Sequence, residues 1–242
     1  CVDTCKIINI SKVLKLNVLI FFFISYFTAR MNTPLVPFQA GSPVMVAGPT
    51  GCGKTYWTTK LLKNEMFTEH VSSVLYCYGV YQTYYDQIKI SNLEFHEGLP
   101  SLEKVQSLND GKFHVIVLDD LMEYIVKSVE TQNLFTKYCH HYNITAIFLT
   151  QNVFAQGPCS RTISINTHIL VIFANKRDES QALNLGKQLY PSNSKVFMEA
   201  YEDATSHVHG YLVIDCDPKS PRELKLRTNI FPGEQTVCYL KK

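Results

Sequence analysis

From Val44 onward, short, uniformly apolar runs alternate with longer stretches in which apolar residues recur every three or four positions. That alternation predicts parallel strands joined by crossover helices, because a strand covered on both faces has no polar side to show. The runs are Val44–Ala47, Val74–Tyr78, Val115–Leu118, Ile144–Leu149 and Ile169–Phe173, with Tyr211–Ile214 as a terminal strand and Leu224–Arg227 as a short edge strand. Helices are predicted over Tyr56–Asn64, Asp178–Leu189 and Asn193–Ala204, and over Met122–Tyr142 on the spacing of Ile125, Val129, Leu134 and Tyr138. No internal repeat and no linker-like stretch follows Met31, so residues 31–242 read as one α/β domain.

Residues 1–30 read differently. Lys6, Lys12 and Lys15 precede the apolar run Val18–Ile24, and the chain begins with Cys1 rather than Met. A membrane-spanning helix needs about 20 apolar residues, and Val13–Phe27 is shorter and carries Lys15, Asn17 and Ser25. A signal peptide would end in a small-residue cleavage site, which Tyr26–Arg30 does not offer. The favoured reading is an apolar leader translated from upstream sequence, with Met31 as the start. A membrane association is not expected.

The 242 residues are 46% hydrophobic and 18% charged, a globular composition that excludes charge-driven disorder. The formal net charge of +2 is too small for a generally basic nucleic-acid binder. It also belongs to the leader: residues 1–30 hold four basic groups and one acid, leaving 19 against 20 from Met31 onward. Any grip on a polyanion must therefore be local, with Lys219, Arg222, Lys225 and Arg227 as the candidate patch. The eight cysteines are scattered with no Cys-x-x-Cys pair, so zinc is not expected, and Cys139-His140-His141 reads as a helix end, since adjacent helical residues point about 100° apart. Free thiols suit a reducing intracellular setting rather than secretion.

The chemistry concentrates at strand ends. Gly48-Pro49-Thr50-Gly51-Cys52-Gly53-Lys54-Thr55 matches the phosphate-binding (Walker A) pattern Gly-x4-Gly-Lys-Ser/Thr, which arises by chance in about one chain in a hundred of this length. Its placement between a strand and a helix raises its weight further. Gly51 and Gly53 would let backbone N–H groups wrap phosphates at a helix N-terminus, Lys54 would bridge the β- and γ-phosphates of ATP, and Thr55 would bind Mg²⁺. The run Val115–Leu118 ends in Asp119 and Asp120, a Walker B pattern. Asp119 would hold Mg²⁺, directly or through water, and Asp120 is placed to orient and polarise the attacking water. The next strand ends in Leu149-Thr150-Gln151-Asn152, which makes Gln151 a sensor of the γ-phosphate or of the lytic water. There are only five arginines, so an Arg-rich lid is not expected. Arg161, in the loop Pro158–Thr162, is the first candidate for an arginine finger and Arg177 the second.

Taken in order, Gly-Pro-Thr-Gly-Cys-Gly-Lys-Thr, Val-Leu-Asp-Asp-Leu, Phe-Leu-Thr-Gln-Asn and Ser-Arg-Thr-Ile-Ser-Ile-Asn resemble the genome-packaging ATPases of the FtsK-HerA superfamily. The adintovirus and Maverick/Polinton members are the nearer likeness and the poxvirus type the more distant one. Phe197–Thr205 and Gly210–Asp215 add to the resemblance, which spans residues 43–233. It implies a P-loop NTPase fold with a mostly parallel central sheet in which the strand bearing Gln151 lies between the loop strand and the Asp119 strand. It also implies an oligomer, commonly a ring, with the arginine acting on a neighbouring subunit. The partners implied are double-stranded DNA and a capsid or portal protein. Many members carry Glu where this chain has Asp120, one methylene shorter. Two rivals stand beside this reading. Asn175-Lys176-Arg177-Asp178 matches the guanine-reading pattern of GTPases, although the Asp-x-x-Gly expected after Asp119 is absent and Val153–Asn166 lacks helical periodicity. The other is a non-catalytic remnant of an integrated viral gene.

Overall fold

All four residues of β2 (Val44–Ala47), all seven of β6 (Ile144–Thr150) and all five of β7 (Ile169–Phe173) are buried, so helices must cover both sides of these strands. A computed structural model of the chain describes residues 6–9 and 36–240. The other strands are β1 (Lys6–Asn9), β3 (Ser73–Tyr78), β4 (Leu93–Glu97), β5 (His114–Asp119), β8 (Tyr211–Asp215), β9 (Leu226–Thr228) and β10 (Val237–Leu240). They form one sheet in the order β1-β10-β9-β8-β7-β2-β6-β5-β3-β4. From β7 to β4 every pairing is parallel, whereas β8, β9 and β10 follow as antiparallel neighbours. The leader read over residues 1–30 lies outside the described residues except for β1, which pairs in parallel with β10.

Alternation along each strand divides the core into two layers. Val44 and Val46 of β2, Val115 and Val117 of β5, and Ile169 and Val171 of β7 face α1 (Lys54–Lys63), whose Trp57 and Leu61 bury against them with Phe38, Phe67 and Phe113. Met45, Ile116, Phe148 and Leu170 face the other way. They meet α3 (Met122–Ile125), the π-turn Leu134–Tyr138 that follows α4 (Val129–Asn133), α5 (Cys139–His141), α7 (Ser180–Leu189) and α8 (Ser194–Ala204). The result is a three-layer α/β/α arrangement, with α2 (Leu102–Ser107) beside β4 and α6 (Ser160–Asn166) leading into β7.

Two expectations need correction. Met122–Tyr142 is not one helix: the chain restarts at Ser128, whose side chain accepts from Thr131 N–H as an N-cap, and Val129 is 58% exposed rather than inward. Val153–Asn166 does contain a helix, α6, of two turns. Its periodicity is invisible because only Ile163 is buried.

Arg227 also departs from its expected role in a surface patch. It is fully buried, donating to Asp215 Oδ2 at 2.9 Å and to the Leu224 carbonyl at 2.6 Å, with its guanidinium 5.3 Å from the Phe38 ring. A charge taken out of water is tolerated only while its counter-ion stays. Asp215→Ala should therefore cost about 3–5 kcal/mol in urea unfolding, and a loss below 1 kcal/mol would mean that the ring and the carbonyl suffice for the guanidinium.

Candidate functional site

The parallel strands deliver their C-terminal ends to one edge of the sheet, where open α/β sheets place ligands. Ala47 pairs with Thr150 and Ile172, and Tyr78 with Asp119, so the loop after β2, the carboxylates after β5 and Gln151 after β6 emerge together. The strand bearing Gln151 lies between the loop strand and the Asp119 strand, as the resemblance implied. Antiparallel β8 starts at the same edge, since Phe173 pairs with Tyr211.

The loop has the backbone that its glycines predict. Gly51 takes φ 78° and Gly53 φ 106°, both in the left-handed region where a side chain is strained. A Cβ on Gly48 would sit 2.7 Å from Cys52 Sγ and 2.8 Å from Phe173 Cβ, so the turn packs directly on β7. The N-terminus of α1 has no side-chain cap and no acidic residue in its first turn. Its orphaned N–H groups and the positive end of its dipole thus face the loop without an internal anion. Lys54 folds over the loop, its Nζ 2.7 Å from the Gly48 carbonyl and 3.1 Å from that of Pro49.

Asp119 is 4% exposed at the end of β5. Its Oδ2 accepts hydrogen bonds from Thr55 Oγ1 at 3.1 Å, the Tyr76 hydroxyl at 2.8 Å and the Tyr85 hydroxyl at 3.1 Å. Burial pushes the carboxyl above its usual range, while the three hydroxyls and the nearby Lys54 cation pull it back towards the ionised form. Burial and the same carboxylate drive both tyrosine hydroxyls up, so they remain donors. The expected pairing of Thr55 with Asp119 is present, and both supply hard oxygen atoms of the kind Mg²⁺ prefers. The two tyrosines were not anticipated. Tyr76 is visible in sequence only as an inward position of β3, and Tyr85 reaches Asp119 from the 3₁₀ turn Thr83–Gln87, which carries no periodic signal.

Asp120 is exposed and takes φ 55°, left-handed for a non-glycine residue. Its carbonyl lies so close to Gly79 that a Cβ there would collide with it. Gln151 is exposed and lines a small cleft with Ala47, Gly48, Asn175 and Asp178. Arg161 stands in the first turn of α6, not in a loop as expected, and both it and Arg177 are exposed. Asn175-Lys176-Arg177-Asp178 forms a helix entry. Asn175 Oδ1 accepts from the N–H groups of Arg177 and Asp178, and the Asp178 carboxylate accepts from Ser180 and Gln181. In the triplet Cys139-His140-His141, Cys139 is buried in the core with its thiol pushed up to about 12, whereas His140 leans on His168 with ring centroids 5.3 Å apart.

No protein-family profile matches the sequence, and no curated protein does. Solved structures do match. The DNA-packaging ATPase B204 of Sulfolobus turreted icosahedral virus superposes with a TM-score of 0.52 at 14% identity, covering 78% of this chain and 96% of that one. The genome packaging NTPase B204 of Sulfolobus turreted icosahedral virus 2, in complex with ATP-gammaS, superposes with a TM-score of 0.50 at 13% identity, covering 74% and 95%. The fold is that of the P-loop NTPases. The P-loop fold accounts for the position of Gly48–Thr55 at the end of β2, but the tyrosine hydroxyls on Asp119 are read from this chain's own side chains.

Tyr76→Phe keeps the ring and removes a hydroxyl bonded to a buried carboxylate, a class of bond worth about 1.5–3 kcal/mol. Urea unfolding should show a loss in that range, and an unchanged midpoint would mean that Thr55 and Tyr85 satisfy Asp119 without it.

Proposed function

We propose that the chain is a Mg²⁺-dependent ATPase of the viral genome-packaging type, which binds ATP at Gly48–Thr55 and hydrolyses its β–γ phosphoanhydride bond. The observation that carries the reading is the joining of Thr55, Asp119 and the uncapped N-terminus of α1 at one sheet edge, with Lys54 folded over the same loop. Backbone N–H groups of the loop would hold the phosphates, and Lys54 would exchange its carbonyl partners for phosphate oxygens. Thr55 and Asp119 would hold Mg²⁺, which supplies charge neutralisation on the β- and γ-phosphates. Asp120, exposed beside this pair, is the group to orient and polarise water, and Gln151 to sense the γ-phosphate. Arg161, or Arg177 in second place, would act on a neighbouring subunit, and exposure of both suits that role.

The packaging role is carried by fold likeness to two proteins described as genome-packaging enzymes and by the sequence resemblance to adintovirus and Maverick/Polinton ATPases. It implies a homo-oligomeric ring acting on double-stranded DNA beside a capsid or portal protein, inside the host cell or in the virion. The guanine-reading alternative is disfavoured because the side-chain acceptors of Asn175 and Asp178 are taken up within the turn that enters α7, by the N–H groups of Arg177 and Asp178 and by the Gln181 amide. A non-catalytic remnant is disfavoured because the complete loop, both carboxylates and Gln151 stand together in the sequence, where a decaying gene would be expected to have lost some of them.

Lys54→Ala should abolish tight ATP binding in calorimetric titration. Asp120→Asn should bind ATP as the unaltered chain does while turnover falls by at least about 100-fold, the usual scale for a general base. Turnover at the unaltered rate would remove Asp120 from the chemistry. Failure of the unaltered chain to hydrolyse ATP with Mg²⁺ and double-stranded DNA present would favour the remnant.

A further inference from the structure

The loop between α8 and β8 brings an unassigned side chain onto the phosphate loop. His209 Nδ1 lies 2.9 Å from the carbonyl oxygen of Cys52, across 157 residues of sequence. A carbonyl can only accept, so Nδ1 carries the proton. The ring also covers Gly53: a Cβ built there would sit 3.3 Å from Nδ1 and 3.7 Å from Cγ of the imidazole. His209 holds φ 59°, a strained setting for histidine, and strain of this kind persists only where the surroundings impose it. Here they do. Gly210 closes a tight turn through its N–H to the His207 carbonyl at 2.9 Å, and a Cβ on it would meet the Ala204 carbonyl at 2.6 Å. Tyr211 then buries between Trp57 of α1 and Phe173 of β7, with ring centroids at 5.8 and 5.9 Å. The histidine is thereby mounted on the same packing that fixes the helix fed by the loop.

We propose that His209 is a positioning residue for the phosphate loop: by holding the Cys52 carbonyl outward it turns the N–H of the same peptide, that of Gly53, into the loop. The reason is geometric. In a trans peptide the C=O and N–H vectors are antiparallel, so a donor that fixes one end aims the other. Gly53, at φ 106° and with no side chain, has little else to hold its peptide plane. The histidine thus acts through the backbone and not by touching the phosphate. This rests on the reading of Gly48–Thr55 as a triphosphate site.

The test uses the full chain and two ligands, a non-hydrolysable ATP analogue and inorganic tripolyphosphate, with affinities measured by calorimetry and folding checked by thermal melting. His209→Asn places an amide N–H where the imidazole Nδ1 stood and tolerates left-handed backbone. It should bind both ligands within about threefold of the unaltered chain, given one retained hydrogen bond. His209→Gly keeps the backbone freedom and removes the donor. It should weaken both ligands by about tenfold, the scale of one lost hydrogen bond, with the melting temperature little changed. Equal binding by His209→Gly and the unaltered chain would overturn the proposal. So would a loss in His209→Asn as large as in His209→Gly, or a loss confined to the ATP analogue, which would mark a contact with the base. If the unaltered chain binds neither ligand any better than Lys54→Ala does, the phosphate-loop reading itself falls, and that result is distinct from the others.

Discussion

Burial of the central strands on both faces is the constraint from which the rest follows. Once β2, β5, β6 and β7 are covered by helices above and below, no interior position can keep a polar side chain cheaply, and the chemistry is driven to the strand ends. Parallel pairing then gathers those ends at one edge, so Thr55 bonds Asp119 and Gln151 emerges at the same edge without any loop having to reach far. Asp119 shows what happens at the boundary. It is the last residue of β5 and still buried, and the sheet tolerates the carboxylate only because Thr55 and the two tyrosines surround one of its oxygens with donors.

Around that edge, orientation is held by contacts that come from far along the chain. Within the phosphate loop, the Lys54 side chain ties down the Gly48 and Pro49 carbonyls. The rest of its shape comes from outside: Gly48 N–H on the Thr150 carbonyl, Gly48 packed on Phe173, and His209 on the Cys52 carbonyl. Each tie belongs to a different neighbour: β6, β7 and the entry to β8. A loop tied from outside in this way is stiff where it would present N–H groups.

How much of this was legible follows from which signals are local. Val44–Ala47 and Ile169–Phe173 stand in the structure as the apolar runs predicted, because double burial forces an unbroken apolar stretch. The loop and Asp119 were legible for the same reason, as fixed residue types following such runs. β4 was not: Leu93-Glu-Phe-His-Glu is an edge strand with mostly exposed positions and lacks the apolar signature. The break at Ser128 was hidden because Val129 mimics a core position while pointing outward. Tyr85 and His209 act on the site from short turns, and nothing in the spacing of turn residues encodes which distant atom they will meet.

The basic patch read from the sequence illustrates the same limit and bears on how DNA could be held. Arg227 is buried against Asp215, and Lys225 is half-buried with its ammonium 4.8 Å from the Tyr190 ring. Of the four cations only Lys219 and Arg222 remain exposed, next to Glu223, and they lie at the sheet edge opposite the phosphate loop, beyond the end of β8. Two phosphate contacts release too few counter-ions to hold a duplex at ordinary salt. A formal net charge of +2 over 242 residues gives no overall field to compensate. Under the packaging reading proposed above, this surface would have to act by repetition, several subunits each presenting the same pair along the duplex, and the salt dependence of binding would then grow with the number of subunits engaged.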